Sequence, residues 1–309
     1  MAVVGAGTMG VGIAHVFAAA GIPAILVDVS PERSEGALLR ALELLERLHA
    51  TGCLVAEARS RAERVLAAAG SIAEAVRGAD LVVEAVVERL EVKRDVYGRI
   101  EQHAAADAVI ATNTSSIPIA RLASGLRRPE RFLGVHWFVP PLLVPCVEVI
   151  AAPATEVVVV ERVVDALARL GKTPVTVGDG PGFVANRIQF ALFREAARIV
   201  EEGLATPAEV DEVVRSSFGF RLPFFGPFAI ADLAGLDVYA DIFAALEREL
   251  GEGFRAPTLL TERVQNGEYG VKSGGGFHAI SREQADALEE RRDRAYSALL
   301  QLRAELEGG

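Results

Sequence analysis

The sequence has little lysine, little cysteine and no long apolar run. Its 32 basic residues are 29 arginines and only three lysines, Lys93, Lys172 and Lys272, against 42 acidic residues. The resulting net charge of -10 argues against general binding to nucleic acid or to acidic membranes, because both need a basic face. It leaves room for an anionic small molecule held by a few local arginines.

Two cysteines, Cys53 and Cys146, are too few for a disulfide framework, and no metal-ligand spacing accompanies them. We therefore expect a protein of the reducing cytoplasm with no metal site. No apolar run reaches the roughly 20 residues that span a bilayer, and we expect no targeting segment before the first strand. With 309 residues, 51% of them hydrophobic, the chain is predicted to be globular with two domains.

A glycine-rich turn follows the first predicted strand, which covers Ala2 to Val4. A GxGxxG pattern between a strand and a helix allows a tight turn and close approach of a pyrophosphate, and free N–H groups at the helix start bind the phosphate. The residues predicted to contact a dinucleotide in this turn are Gly5, Gly7, Thr8, Met9 and Gly10.

The second predicted strand, Ala24 to Val29, carries a carboxylate at its end. Asp28 follows Gly10 by eighteen residues (28 − 10), the spacing typical of an acidic residue that binds the adenosine ribose. Because a carboxylate there repels a 2′-phosphate, the pattern favours NAD over NADP.

Two charged helices are inserted before the next predicted strand. Ser30 is a predicted N-cap with Pro31 at the first helical position, and a second helix is predicted from Leu54 to Ala69. Three arginines of the first helix recur every seven residues and share one face: Arg33, Arg40 and Arg47. They could meet phosphates, or form a solvated face paired with the interspersed glutamates.

Strand and helix patterns then alternate, which predicts an α/β fold with a doubly wound, Rossmann-type parallel sheet. Ser71 with Glu74 predicts a capping box, and buried strands are predicted at LVVEAV and VIATNT. Ligands of such sheets bind at the carboxyl ends of the strands. Polar residues follow both of these strands: Glu88 and Lys93 after the first, and Asn113, Thr114, Ser115 and Ser116 after the second. A hydroxyl there can bind a substrate oxygen or cap the next helix, as Ser116 could.

Two further strands, Phe132 to Phe138 and Cys146 to Ile150, each carry one ionisable residue and are separated by prolines. If the strands are neighbours, His136 and Glu148 meet in a dry place, which orients the imidazole and suits it to move a proton near neutral pH. The alternative is a core histidine satisfied by a nearby carboxylate.

The composition changes after a last strand, TPVTVGD. From Pro181 onward only helices are predicted, and Asn186 lies in the first turns of one of them. The sequence therefore predicts a nucleotide-binding domain of residues 1–179 and an all-α domain of residues 180–309. The segments IQFALFREAARIV and FRLPFFGPFAI hold more apolar residues than a small helical domain readily buries, which predicts a homodimer.

Seven segments, in order along nearly the whole chain, carry a resemblance: GAGTMG, LVVEAVVERLEVK, ATNTSS, GVHWF with VEVI, PGFVANR, GPFAIADLAGLD and GVKSGGGF. They resemble the L-3-hydroxyacyl-CoA dehydrogenase family. The resemblance implies NAD-dependent interconversion of an L-3-hydroxyacyl-CoA and its 3-ketoacyl-CoA in fatty acid metabolism. It further implies that His136 is the catalytic base, that Glu148 orients it and that Ser115 and Asn186 hold the reacting oxygen. The residues that it implies at the NAD site are Asp28, Glu88, Lys93, Ser115 and Lys272.

The sequence differs from the family pattern at two places. Val139 stands where the family has Asn, three residues after the catalytic histidine. In the family, lysine and serine of the first inserted helix bind CoA. In this chain that helix has no lysine and no serine other than Ser34. Two alternatives follow: a dehydrogenase of a CoA-free 3-hydroxy acid, like the carnitine or L-gulonate enzymes, or an NAD-binding protein with little turnover.

Overall fold

A computed structural model describes residues 1–279 and 282–307 and divides the chain into two compact units. The first unit covers Met1–Leu192, and the second begins at Phe193. This division falls inside a helix, Ala185–Glu201. The domain boundary near Asp179 stays a prediction.

The first unit is built on one eight-stranded sheet. Its strands are β1 (Ala2–Val4), β2 (Ala24–Val27), β3 (Leu66–Ala68), β4 (Leu81–Glu84), β5 (Val109–Thr112), β6 (Phe132–Trp137), β7 (Cys146–Ala151) and β8 (Thr173–Val177).

The strand order is β3-β2-β1-β4-β5-β6-β7-β8, and every neighbouring pair is parallel except β6 and β7. The order reverses between β1 and β4, and in doubly wound sheets ligands bind in the crevice at such a reversal. The antiparallel pair β6 and β7 places His136 directly opposite Glu148.

Helices cover both faces of the sheet and bury its apolar side chains. They are α1 (Thr8–Ala19), α2 (Pro31–Ala50), α3 (Ala56–Val65), α4 (Ile72–Val76), α5 (Leu90–His103), α6 (Ile119–Ala123) and α7 (Val157–Arg169). Helices α1, α2, α3 and α7 contribute to one apolar core, and α4, α5 and α6 contribute to the other. The predicted Rossmann-type α/β sheet with an inserted helical pair, followed by a helical segment, is confirmed.

Local capping explains several helix starts. The Ser30 side chain accepts a hydrogen bond from the Arg33 amide, with Pro31 at the first helical position, as predicted. Caps of this kind contribute about 1 kcal/mol. Ser71 accepts from the Glu74 amide, but the Glu74 carboxylate accepts from the Gly70 N–H, so the predicted capping box is only half formed. Ser116 caps no helix, because α6 begins at Ile119 after Pro118.

The second inserted helix is shorter than predicted. It ends at Val65, and Leu66–Ala68 form β3, which pairs with β2 at the edge of the sheet. The sequence LAA has no strand propensity, so the prediction of helix through Ala69 was wrong there. Pairing with β2 decides the conformation instead.

The second unit is helical over its described residues. Its first helix continues from the first unit, and its helices are α8 (Ala185–Glu201), α9 (Pro207–Ser216), α10 (Phe218–Arg221), α11 (Pro227–Ala234), α12 (Leu236–Leu250), α13 (Thr258–Gln265) and α14 (Arg282–Glu307). Thr206 and Glu209 form the capping box of α9. Within residues 1–279 and 282–307, no helix has the length and apolar character needed to cross a membrane.

Candidate active site

The glycine turn lies at the reversal of strand order, and its backbone needs the glycines. Gly5 has φ +99°, and a Cβ on it would lie 2.5 Å from the carbonyl oxygen of Ala85, just after β4. A Cβ on Gly10 would overlap the Gly5 carbonyl oxygen. A Cβ on Gly7 would meet nothing within 4 Å, so the backbone at the start of α1 is open to a ligand.

The Asp28 carboxylate closes one side of this turn. Its Oδ2 accepts from the Ala6 N–H at 2.9 Å, and its Oδ1 pairs with Arg33 Nε at 3.0 Å. A cavity of about 300 Å³ adjoins it, lined by Gly5, Gly7, Asp28, Arg33 and apolar residues that follow β4. A carboxylate beside an open glycine turn fits the ribose and phosphates of a dinucleotide.

A second open groove, of about 490 Å³, lies between the start of α1 and α2. Two of the three arginines on the predicted face of α2, Arg40 and Arg47, line it together with Gly7 and Thr8. Arg40 Nη2 also donates to the Ala6 carbonyl oxygen at 3.3 Å. Glu43 also lines the groove, and Glu46 pairs with Arg59 of α3.

Glu88 accepts several hydrogen bonds from the polar loop that follows β5. Its Oε1 accepts from Thr114 Oγ1 at 2.5 Å, from Ser116 Oγ at 2.9 Å and from the Ser115 and Ser116 amides at 3.0 Å. Burial alone would raise the pKa of Glu88, but the Thr114 hydrogen bond, the Lys93 charge and the serine bonds lower it to about 2. Glu88 is therefore an anion that fixes Ser115.

Lys93 lies beneath this loop and not on its surface. Its side chain is 1% exposed, and its Nζ lies 2.7 Å from Glu84 Oε1 and 3.2 Å from Glu88 Oε2. Glu84 also accepts from Tyr97 at 2.6 Å and from Thr112 at 2.8 Å, and burial followed by the Glu84 charge raises the pKa of Tyr97. The structure thus gives Lys93 a supporting position under Glu88.

His136 and Glu148 meet as the sequence predicts. Nδ1 of His136 lies 2.8 Å from Oε2 of Glu148, and both side chains are buried. The rings of Phe138 and Phe183 lie 4.7 and 5.5 Å from the imidazole, centroid to centroid. Among the described residues, Nε2 of His136 has no hydrogen-bond partner. The imidazole is therefore held at one nitrogen in an apolar surround and is free at the other.

The other oxygen of Glu148 caps α8. Its Oε1 accepts from the backbone N–H groups of Val184 and Ala185 at 3.0 and 2.9 Å. A carboxylate that accepts at both oxygens leaves Nδ1 of His136 as the donor, so the neutral imidazole carries its lone pair at Nε2. That is the tautomer a general base needs.

Asn186, near the start of α8, contacts Ser115. Asn186 Nδ2 donates to the Ser115 carbonyl oxygen at 3.2 Å, while the Ser115 hydroxyl has no partner in the described part of the chain. All four predicted catalytic residues lie within the first unit and are joined by hydrogen bonds or by α8. Lys272 lies in the second unit, where it pairs with Asp237 at 2.5 Å.

Three supporting residues were missed in the sequence, Glu84, Asp179 and Lys172, and Asn113 was identified only as a polar residue after its strand. Glu84 was part of a predicted buried strand, where a carboxylate inside an apolar run was the available signal. Asn113 Oδ1 accepts from the Trp137 N–H at 3.0 Å, Asp179 caps α6 through the Ile119 and Ala120 amides, and Lys172 donates to three carbonyl oxygens at 2.5 to 3.0 Å in the loop after β6. Asp179 lies 60 residues from Ile119, so no local pattern reports that contact.

Comparison with known proteins identifies the family. Residues 1–180 match the NAD binding domain of 3-hydroxyacyl-CoA dehydrogenase, and residues 182–280 match its C-terminal domain. The chain belongs to this family. The predicted membership and the NAD cofactor are thereby confirmed, and the chain is an NAD-dependent oxidoreductase of the 3-hydroxyacyl-CoA dehydrogenase type.

Individual relatives differ in the substrates that their names give. The chain is 36% identical over 312 residues to the 5-formyl-3-hydroxy-2-methylpyridine 4-carboxylate 5-dehydrogenase of Mesorhizobium japonicum, covering 100% of this chain and 98% of the relative. It is 36% identical over 278 residues to a probable 3-hydroxybutyryl-CoA dehydrogenase of Bacillus subtilis, covering 89% and 95%. The crystal structure of a 3-hydroxyacyl-CoA dehydrogenase from Archaeoglobus fulgidus matches with a TM-score of 0.81 at 33% identity, covering 97% of this chain and 98% of that one.

Proposed function

We propose that this protein interconverts an L-3-hydroxyacyl-CoA and the corresponding 3-ketoacyl-CoA, with His136 as general acid and base. The observation that carries the proposal is the His136–Glu148 pair, in which the carboxylate is itself fixed by two backbone amides. Family membership supports the reaction type, and NAD, when bound, supplies the hydride acceptor.

In the oxidation direction, Nε2 of neutral His136 accepts the proton of the substrate 3-hydroxyl group. Glu148 then stabilises the imidazolium through Nδ1–H, at a distance of 2.8 Å. The free Ser115 hydroxyl and the Asn186 amide bind the reacting oxygen and stabilise its developing negative charge. In the reverse direction the imidazolium returns its proton to the ketone oxygen.

The remaining predicted residues hold the cofactor in this proposal. The glycine turn with Thr8 and Met9 receives the pyrophosphate, and Asp28 receives the ribose. Glu88, supported by Lys93, orients Ser115 beside the nicotinamide.

Steady-state kinetics of two variants test the catalytic assignment. His136→Ala should lower kcat for acetoacetyl-CoA reduction by roughly a hundredfold or more, the usual effect of losing a general base. Glu148→Gln preserves shape but removes the charge, and should lower kcat while leaving NADH binding unchanged. Near-wild-type turnover of His136→Ala, with NADH still bound, would refute the assignment.

The groove with Arg40 and Arg47 supports an anionic handle on the substrate, which the nucleotide phosphates of CoA would supply. Arg47→Gln should raise the KM for acetoacetyl-CoA several-fold and leave the KM for acetoacetyl-pantetheine, which lacks the nucleotide, unchanged. The KM for NADH is the control, because an effect on it would mean that Arg47 serves the dinucleotide instead.

A second candidate is a dehydrogenase of a CoA-free acid, and the full-length similarity to the pyridine carboxylate dehydrogenase supports it. The absence of lysine from α2 and the presence of Val139 point the same way. NADH oxidation with acetoacetyl-CoA, compared with NAD reduction by free 3-hydroxy acids and aromatic hydroxy carboxylates, separates the two. The low-activity alternative predicts no turnover with acetoacetyl-CoA or with the free hydroxy acids.

A further inference from the structure

The loop between β6 and β7, residues 138–145, is poor in backbone donors. Three of its eight residues are prolines, which have no N–H: Pro140, Pro141 and Pro145. Backbone amides donate to the carbonyl oxygens of Pro140 and Pro145. The carbonyl oxygens of Pro141, Leu142 and Val144 take their hydrogen bonds from a side chain instead.

That side chain is Lys172, which follows α7 and precedes β8. Its Nζ donates to the carbonyl oxygens of Pro141, Leu142 and Val144 at 2.5, 3.0 and 2.9 Å. An ammonium has three N–H donors, so all of them bind this one loop. The lysine is buried, and it forms no ion pair with a carboxylate of the described residues. Because lysine is seldom buried without a charged partner, Lys172 is a candidate for a role beyond ordinary packing.

The loop that Lys172 holds contacts both parts of the proposed active site. At its start, the Phe138 ring lies 4.7 Å from the His136 imidazole, centroid to centroid. In its middle, Pro141 packs on α1, where a Cβ on Gly12 would lie 2.7 Å from the proline Cδ. Helix α1 begins at the glycine turn. The loop therefore joins the apolar wall around the proposed base to the helix that follows the dinucleotide turn.

We propose that Lys172 is a positioning residue of the reaction, which fixes the Phe138 ring on His136 and the loop on α1. This inference rests on the proposed function, in which His136 is the general acid and base. Without the ammonium, three carbonyl oxygens lose their donor, and the loop must turn them toward water. The Phe138 ring then moves away from the imidazole, and the base loses its orientation. Lys172 acts through the loop and not on the reacting atoms.

Two variants grade the number of donors at position 172. Lys172→Met has no N–H donor at a similar length, whereas Lys172→Gln keeps two. The measurement is single-turnover oxidation of NADH, with the enzyme in excess and acetoacetyl-CoA at saturation. Its amplitude reports the folded fraction, and its rate constant reports the reaction. We expect the rate constant to fall at least about tenfold in Lys172→Met, since a misplacement of about 1 Å can cost a hundredfold.

Lys172→Gln should lower the rate constant about threefold or more, as for one lost hydrogen bond, and it carries the test where Lys172→Met does not fold. A lower amplitude with an unchanged rate constant would show that Lys172 serves folding alone, and would overturn the proposal. His136→Ala separates this failure from that of the proposed function. Slow turnover in His136→Ala with a wild-type rate constant in Lys172→Met refutes only the positioning role.

Arg169→Met is the matched control for the loss of a positive charge. Arg169 is the last residue of α7, its side chain is 78% exposed, and it pairs with Asp165. The rate constant of this variant should stay within about twofold of wild type, because an exposed ion pair contributes little. An equal fall in Arg169→Met and Lys172→Met would mean that charge and not the loop hydrogen bonds is responsible, and would overturn the proposal.

Trp137 gives a measurement that needs no turnover. It is the only tryptophan of the chain, it directly precedes the loop, and it is 2% exposed. Acrylamide quenching of its emission, measured without cofactor, should strengthen at least about twofold in Lys172→Met, because the loop opens locally. Arg169→Met should show wild-type quenching. Unchanged quenching in folded Lys172→Met would overturn the proposal whatever substrate the protein uses.

Discussion

At the scale of single residues, Val139 replaces the asparagine of the family pattern, close in sequence to the proposed base His136. It lies three residues after His136, just beyond β6, and is 64% exposed. On the proposed assignment, an asparagine amide at position 139 would add one hydrogen bond near the nicotinamide or Ser115, worth roughly 1 to 3 kcal/mol. Val139→Asn should therefore preserve or raise kcat with a 3-hydroxyacyl-CoA, by up to about ten- to a hundredfold.

The measurement is kcat with acetoacetyl-CoA, with the dissociation constant of NADH as control. Loss of activity in Val139→Asn with normal NADH binding would indicate a pocket built for a different substrate and would favour the CoA-free candidate.

We expect Asp28 to determine the choice between NADH and NADPH. We expect NADH to bind at least about tenfold more tightly than NADPH, a difference of about 1.4 kcal/mol, because the carboxylate repels a 2′-phosphate. Asp28→Ala should reduce the preference for NADH over NADPH in two ways. It removes the repelling carboxylate, and it frees the Arg33 guanidinium, now 3.0 Å from Asp28, to bind a 2′-phosphate.

Calorimetry with both cofactors checks this, and Asp28→Ala combined with Arg33→Gln is the matched control for the freed guanidinium. Comparable dissociation constants for NADH and NADPH in the wild-type protein would contradict the prediction.

At the scale of structural elements, Glu88 ties the start of α5 to the loop after β5. Its pKa in the fold is about 2, below the usual value of 4.5, so the ionised carboxylate stabilises the fold fully above about pH 4.5. That contribution is lost as the pH falls toward 2. The difference in free energy of unfolding between wild type and Glu88→Gln should be constant near neutrality and shrink across this range.

Urea unfolding at a series of pH values measures the difference. Glu91→Gln, at an exposed position of α5, is the control for the loss of one carboxylate from this helix. A difference for Glu88→Gln that stays constant down to pH 2 would show that its carboxylate is not held as an anion by the loop.

The elements also show what could be predicted from sequence. The pairing of β6 with β7 was predictable, because prolines bound two apolar runs that each carry one ionisable residue, and the register joins those two residues. Strand β3 was not predictable, since its alanines favour a helix and only the neighbouring β2 holds them extended. The capping of α6 by Asp179 was also not predictable, because that contact joins distant parts of the chain.

At the scale of the whole molecule, α8 leaves large apolar side chains in contact with solvent. Ile188, Phe190 and Phe193 are 57%, 65% and 67% exposed. Burying such a surface contributes roughly 25 cal/mol per Å², and we propose that a second copy of the chain covers it. Light scattering at micromolar concentration should give twice the monomer mass of 32.8 kDa.

Phe190→Glu should shift the mass toward that of the monomer. Val157→Glu, at a position of α7 that is 72% exposed, is the control and should leave the mass unchanged. A monomeric wild-type protein at this concentration would rule out the dimer.

Glu148 has a consequence for how this chain can diverge. Functional residues commonly reduce stability, so a lineage that loses its activity gains by replacing them. Here the carboxylate that orients the proposed base also accepts from the first amides of a long helix, and its replacement by an apolar residue leaves those donors unpaired. Selection for folding alone would therefore retain an acceptor at position 148, and a descendant that had lost catalysis would still display this half of the proposed catalytic pair.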